Sequence, residues 1–204
     1  MKITAIEELS KARSRVWIDG EFAFVLYKGE LRLYRIREGE EISEETLKTI
    51  RQEVLPKRAK LRAMNLLKSR EYTTKQLHDK LKQGGYPEDI ITLALDYVAS
   101  YHYTDDLRYA VSYMQSHETD KSRRRIEQDL MRKGIGKETL EKAWQTWEAR
   151  GGEQDEQQMI SELLEKRGYC PREADLREKQ RLYGFLMRRG FSGEQVRKAL
   201  GDIS

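Results

Sequence analysis

Three stretches of this chain align with one another without gaps, and that repeat constrains the fold more than any other feature. Leu77 and Leu81, then Gly85-Tyr86, then Ile91, Ala94 and Leu95 correspond to Ile126, Leu130, Gly134-Ile135, Leu140, Ala143 and Trp144. The third copy reads Leu182, Leu186, Gly190-Phe191, Val196, Ala199 and Leu200. The offsets are 49 and then 56 residues, with the extra length around Tyr169-Cys170-Pro171. In each copy an i, i+4 apolar pair marks the buried face of one helix. The glycine suits a left-handed position just past that helix's end, and the apolar residue after it plugs the turn before the next helix begins. A further helix is predicted ahead of each pair, over residues 58–68, 105–116 and 156–166. The expectation is a mainly α protein of tandem three-helix, helix-turn-helix-like repeats spanning 56–103, 104–150 and 151–204, in an elongated arrangement. Composition agrees: with 36% charged residues against 38% hydrophobic ones, several small cores are easier to build than one deep centre.

Residues 1–55 follow another period. Val16 and Ile18 alternate, then Asp19-Gly20, then Phe22, Phe24 and Leu26. Asp-Gly between two alternating runs is a strong hairpin signal, because both central residues of a type I′ turn need positive φ. The β pattern is read on through Leu31 and Leu33 to Tyr34, Ile3 to Leu9 adds a candidate strand, and Glu44 to Val54 a short helix after the N-cap Ser43. These residues are expected to form a small β-hairpin module used for packing or docking.

The same residues exclude several function classes. No stretch approaches the apolar length of a membrane span, and Met1-Lys2-Ile3-Thr4 does not begin a signal-peptide core, so a cytoplasmic protein is expected. The single cysteine, Cys170, is read as packing or loop filler. His78, His102 and His117 lie far apart without ligand-spaced partners, so neither metal nor cofactor is expected. There is no phosphate loop, nucleophile elbow or Cys-His signature, which points away from an enzyme.

Charge is informative through its distribution. The net charge is only +4, but residues 56–103 hold nine Lys and Arg against five Asp and Glu, a surplus suited to phosphate backbones or an acidic protein surface. Lys121-Ser122-Arg123-Arg124-Arg125 opens a predicted helix, where three arginines in the first turn oppose the helix dipole. They are either a tolerated solvated run or a contact with phosphates or carboxylates. Lys75 and Lys82 are the candidates of the first repeat. Sequence-specific reading of DNA by the second helix of each pair is disfavoured: Pro87-Glu88-Asp89, Gly136-Lys137-Glu138 and Ser192-Gly193-Glu194 look like caps where Arg, Asn or Gln would reach base edges. Tyr97, Tyr101 and Tyr103, and the pair Trp144 and Trp147, are read as core or inter-repeat packing, with base stacking as the alternative. Asp105-Asp106 with Arg108 is read as a helix N-cap and a local salt bridge that hold the repeats together.

Ala59-Lys-Leu-Arg-Ala-Met-Asn-Leu-Leu-Lys-Ser-Arg70 with Leu77-His-Asp-Lys-Leu81 and Gly85 is similar to the first repeat of the RecX family. Tyr103-Thr-Asp105-Asp106-Leu-Arg108-Tyr109-Ala110 resembles that family's most recognisable motif, and Arg124-Arg125-Ile126 through Gly134-Ile135 continues the match. The resemblance covers about residues 56 to 200; residues 1–55 match loosely, and the Gly168–Asp175 connection is longer. It implies a cytoplasmic, non-enzymatic protein that binds RecA filaments on single-stranded DNA in their helical groove. Such proteins restrain ATP hydrolysis, strand exchange and coprotease activity in recombinational repair. Lys121, Arg123, Arg124, Arg125, Lys75 and Lys82 are then the candidate contacts to RecA or DNA, Asp105, Asp106 and Arg108 the structural motif, and a monomer the expected state. The alternative is a stand-alone helix-turn-helix DNA-binding regulator.

Overall fold

A computed structural model describes residues 1–201, which divide into two compact units meeting in sequence at Asp105 and Asp106. The first unit opens with a three-stranded antiparallel sheet, β1 (Ile3–Ser10), β2 (Arg13–Ile18) and β3 (Glu21–Tyr27), in sequential order. Asp19 and Gly20 form the predicted turn, with φ of 49° and 87°. A register shift between Val16 and Trp17 pairs Trp17 with Phe22. It sets their rings edge to face at 5.8 Å and leaves Phe22 exposed, while Phe24, Val25 and Leu26 are all buried.

The strand expected over Leu31 and Leu33 is instead a short helix, α1 (Lys28–Leu33). The Tyr27 N–H is captured by the Glu30 carboxylate at 2.7 Å, which turns the chain into a helical first turn where a hairpin pattern would have kept it extended. Leu33 then points into solvent.

The helix after Ser43 does form: α2 (Glu44–Thr49) begins with the Ser43 side chain accepting from the Thr46 N–H. It continues without a break through one π turn, Ile50–Val54, into α3 (Leu55–Leu67). Pro56 explains the widened turn. Its ring cannot donate an N–H and would strike the carbonyl one α-turn back; with the Leu55 N–H bonded to the Ile50 carbonyl, the helix opens there and stays continuous. One core accordingly runs from Ile3, Val16, Phe24 and Leu26 through Ile50 and Leu55 to Leu77, Leu81, Ile91 and Val98.

With α4 (Thr74–Gln83) and α5 (Glu88–Ser100), α3 makes the first three-helix repeat. The second is α6 (Asp106–His117), α7 (Arg123–Arg132) and α8 (Lys137–Ala149); the third is α9 (Glu156–Glu165), α10 (Leu176–Arg188) and α11 (Gly193–Leu200). The repeat positions read from sequence line the cores: Leu77 and Leu81, Ile126 and Leu130, Leu182 and Leu186 are all buried. Gly85, Gly134 and Gly190 have φ of 81°, 93° and 92°. After them the Tyr86 and Ile135 N–H groups reach back to the Leu81 and Leu130 carbonyls. The second and third repeats keep separate cores, one centred on Met114, Trp144 and Trp147, the other on Ile160, Leu164 and Phe191.

The inter-helix glycine also docks each of two repeats onto what precedes it. Gly85 lies against the Val25 side chain of β3, and Gly190 against Ser122 and Arg125 at the start of α7, so close that a Cβ on either would collide. In the first unit Arg58 reinforces this seam. It pairs with Glu30 at 2.6 Å, donates to the Val25 carbonyl and lies over the rings of Tyr27 and Tyr86. Arg58 thus faces inward and leaves the basic surface of the first repeat to its neighbours.

Candidate partner-binding site at the start of the second repeat's middle helix

The four basic candidates from Lys121 to Arg125 stand at a helix start held on three sides. Ser122, fully buried, caps α7 by accepting from the Arg125 N–H. Its own N–H donates to the Arg189 carbonyl at 3.0 Å, so the C-terminal end of α10 meets the N-terminus of α7. Arg189 reaches back to the Asp120 carbonyl at 2.6 Å and carboxylate at 2.8 Å. The other Asp120 oxygen lies 3.0 Å from His117 Nδ1. On a third side the Gln154 amide donates to the carbonyls of Glu118 and Lys121. A turn so fully bonded has few alternatives, which makes it a rigid base for the side chains it presents.

Those side chains differ in what they are free to do. Lys121 is folded inward, bonded to the Tyr113 hydroxyl at 2.7 Å and the Asp129 carboxylate at 3.2 Å. Burial pulls its pKa down and that of Asp129 up. In both cases the hydrogen bonds and opposite charges win, so the lysine is raised above its ordinary value and the aspartate held below it. Arg125 pairs with the same Asp129 at 3.3 Å. Arg123 lies over the Trp144 ring at 4.3 Å, between the carboxylates of Glu127 and Glu148. Arg124 alone of the run is exposed and, among the described residues, without an ion pair.

The dipole penalty against three arginines in a first turn is thereby met locally, by Glu127, Asp129, Glu148 and the carbonyl end of α10. Arg189 itself stands beside the run, bonded to Asp120. Nothing in the sequence pointed to it, because it lies more than sixty residues away and only the docking of α10 brings it near.

The remaining candidates sit elsewhere. Lys75 and Lys82 are exposed on α4 of the first unit, seven residues apart and so on one face. They pair with Asp79 at 3.8 Å and Glu88 at 2.6 Å. Exposed pairs of this kind contribute little and exchange readily for an incoming anion. Asp105 stands directly before α6, with Asp106 and Arg108 in its first turn, where the chain passes from one unit to the next. Trp144 and Trp147 are core residues, as expected. Tyr101 and Tyr103 are not: they are 57% and 48% exposed, because the buried face of α5 ends at Val98. At the second helix of each pair the first turns carry Glu88 and Asp89, Glu138, and Glu194. Glu88 is tied to Lys82 and His78, Asp89 to Arg51, and Glu138 to Lys142. This leaves acid where a base-reading helix needs amide or guanidinium donors. Among the described residues no group of three His, Cys, Asp or Glu is placed to hold a metal, and no helix is long and apolar enough to cross a membrane.

The fold and this site define a class: a tandem three-helix-repeat protein with a run of arginines at a clamped helix start. Three family models match in order, the first three-helix domain of RecX at residues 59–97, the second at 105–143 and the third at 153–200. A regulatory protein RecX of Caldanaerobacter subterraneus is 34% identical over 98% of both chains. One of Chromobacterium violaceum is 33% identical over 71% of this chain and 90% of its own. A crystal structure of a regulatory protein RecX covers 98% of each chain at 25% identity with a TM-score of 0.57. The chain belongs to the RecX family of regulatory proteins, and its likeness to relatives extends through the N-terminal sheet that sequence motifs matched only loosely.

Proposed function

We propose that this protein is a non-enzymatic cytoplasmic regulator that acts as a monomer on RecA filaments assembled on single-stranded DNA, slowing RecA's ATP hydrolysis and strand exchange. The observation that carries this reading is Arg124. A guanidinium left unpaired on a helix start whose every neighbour is bonded is positioned for phosphate or carboxylate groups outside the chain. Arg123 and Arg125 flank it, Lys121 holds the helix start from within, and Lys75 and Lys82 offer a second basic face on the first unit. Membership of a family of regulatory proteins, together with acidic first turns on the helices that would read bases, supports a filament regulator over a stand-alone operator-binding protein.

The test is RecA's single-strand-dependent ATP hydrolysis with this protein added well below one molecule per RecA. Strong inhibition at such ratios is expected, since competition for DNA alone would need far more protein. Unchanged hydrolysis on an intact filament would refute the proposal.

A further inference from the structure

Two repeats build the turn after their last helix with the same backbone and opposite surfaces. In the second repeat Gly151 takes φ of 86°, and the Gly152 N–H bonds to the Trp147 carbonyl at 3.0 Å. Gly152 packs on the Trp147 ring so closely that no Cβ fits. At the corresponding places of the first repeat stand His102 and Tyr103. His102 takes φ of 56°, and the Tyr103 N–H bonds to the Val98 carbonyl at 3.0 Å. The turn therefore asks for no aromatic residue. The first repeat nevertheless places a non-glycine residue in the left-handed region, a conformation that disfavours Cβ, and flanks it with two exposed tyrosines.

What this arrangement produces is a ladder of rings. Tyr101 lies 5.1 Å from Tyr97, and Tyr103 lies 5.9 Å from Tyr101 with the two planes within 18° of parallel. The Lys60 ammonium sits 4.9 Å over the Tyr97 ring. Lys57 and Arg62 of the same helix α3 are exposed, on the repeat that holds the chain's basic surplus. The near-parallel faces of Tyr101 and Tyr103, with the Tyr97 ring tilted by 59° to Tyr101 and carrying the Lys60 amine, match stacked bases strung on a phosphate backbone. We infer that Tyr101 and Tyr103, with Tyr97 and Lys60, form a stacking platform for unpaired bases of single-stranded nucleic acid, without sequence preference.

The inference deepens the proposed function by naming a direct nucleic-acid contact, and its test omits RecA so that the two can fail separately. Fluorescence anisotropy would follow labelled oligothymidylate binding to the full chain, its Tyr101→Ala and Tyr103→Ala variants and the double variant Tyr101→Phe with Tyr103→Phe. Each alanine change is expected to weaken binding by about 5-fold or more, and the double Phe variant to stay within about twofold. The dependence of affinity on salt should keep its slope, because that slope counts phosphate contacts. Photo-crosslinking of the unaltered protein to bromodeoxyuridine-substituted oligonucleotide should mark Tyr101 or Tyr103, which keeps the test independent of any variant's folding. Alanine variants that bind as tightly as the parent, or crosslinks confined to other segments, would overturn the inference. So would variants that lose affinity for DNA-free RecA alone, which would make the ladder a protein-docking face.

Discussion

The Arg189 guanidinium holds both the backbone carbonyl and the carboxylate of Asp120, joining the end of the third repeat's middle helix to the loop that starts the second repeat's. Hydrogen bonds to a charged partner that also satisfy a carbonyl are worth more than ordinary surface pairs. Arg189→Ala should destabilise the second unit by about 1–2 kcal/mol, a fall of about 5 °C or more in its melting temperature. Arg189→Lys should recover only part of this: one nitrogen makes both bonds, but an ammonium loses the guanidinium plane that lies over the Phe185 ring at 4.6 Å. Thermal melts followed by circular dichroism measure both; a melt unchanged in Arg189→Ala would show that the clamp adds nothing.

Gly190 gives a sharper contrast. Alanine there meets positive φ and a collision with Ser122 Oγ and the Arg125 Cβ together, so Gly190→Ala should cost about 2 kcal/mol or more. Gly136, with open space around its Cβ position and ordinary φ at the start of α8, should tolerate alanine at a cost of about 0.5 kcal/mol. Denaturant midpoints of the two variants, compared side by side, decide whether the close approach matters.

Acid should weaken the second unit through Asp129. Its carboxyl is held below its ordinary value of 3.8 in the folded chain, against the pull of its own burial, by Lys121, Tyr113 and Arg125. A depressed carboxylate stabilises the fold above its unfolded pKa, and that stabilisation is lost as pH falls through the folded one. The expected outcome is a loss of stability below about pH 4 that is smaller in Asp129→Asn. Equal acid sensitivity in both proteins would assign the loss to other carboxylates. Lys121 gives the opposite limb: raised above 10.5, its contribution persists below that pH and disappears on passing to higher values.

Arg124 and Arg123 should separate binding from stability. Arg124→Ala removes no internal partner, so filament affinity should fall by about 1–2 kcal/mol with an unchanged melt. Arg123→Ala uncovers Trp144 and frees Glu127 and Glu148, so its melt should drop by a few degrees as well. Titration of a RecA filament against each variant, beside its melting curve, tests the division. Arg124→Ala binding at parental strength would remove that residue from the site.

Much of the helical architecture was readable because local rules carry it. The i, i+4 pairs, the glycine after them and the plug residue all depend on contacts within a few turns, and Ile126, Leu130, Gly134 and Ile135 behave as their spacing dictates. The errors came where distant or competing contacts decide. Leu31 and Leu33 kept an alternating pattern, yet the Glu30 carboxylate turned the chain at Tyr27. Tyr97 and Tyr101 share helical spacing, but α5 ends at Ser100, one residue short of keeping Tyr101 on its buried face. At the basic run, sequence located the helix start but could not rank its four cations. Asp129, Trp144, Glu148 and Gln154 determine which side chain is left over, and they come from different parts of the unit.

The helix that runs unbroken past Pro56 bears on how such a protein can be cut and recombined. A fragment begun at the apparent repeat boundary would lose α2 and the sheet residue Val25 on which Gly85 rests, uncovering Ile50's neighbours and half of a shared interior. Grafting the first repeat into another array would therefore require carrying the sheet with it. The periodicity advertises three interchangeable cassettes, whereas the first is inheritable only as a module of about a hundred residues.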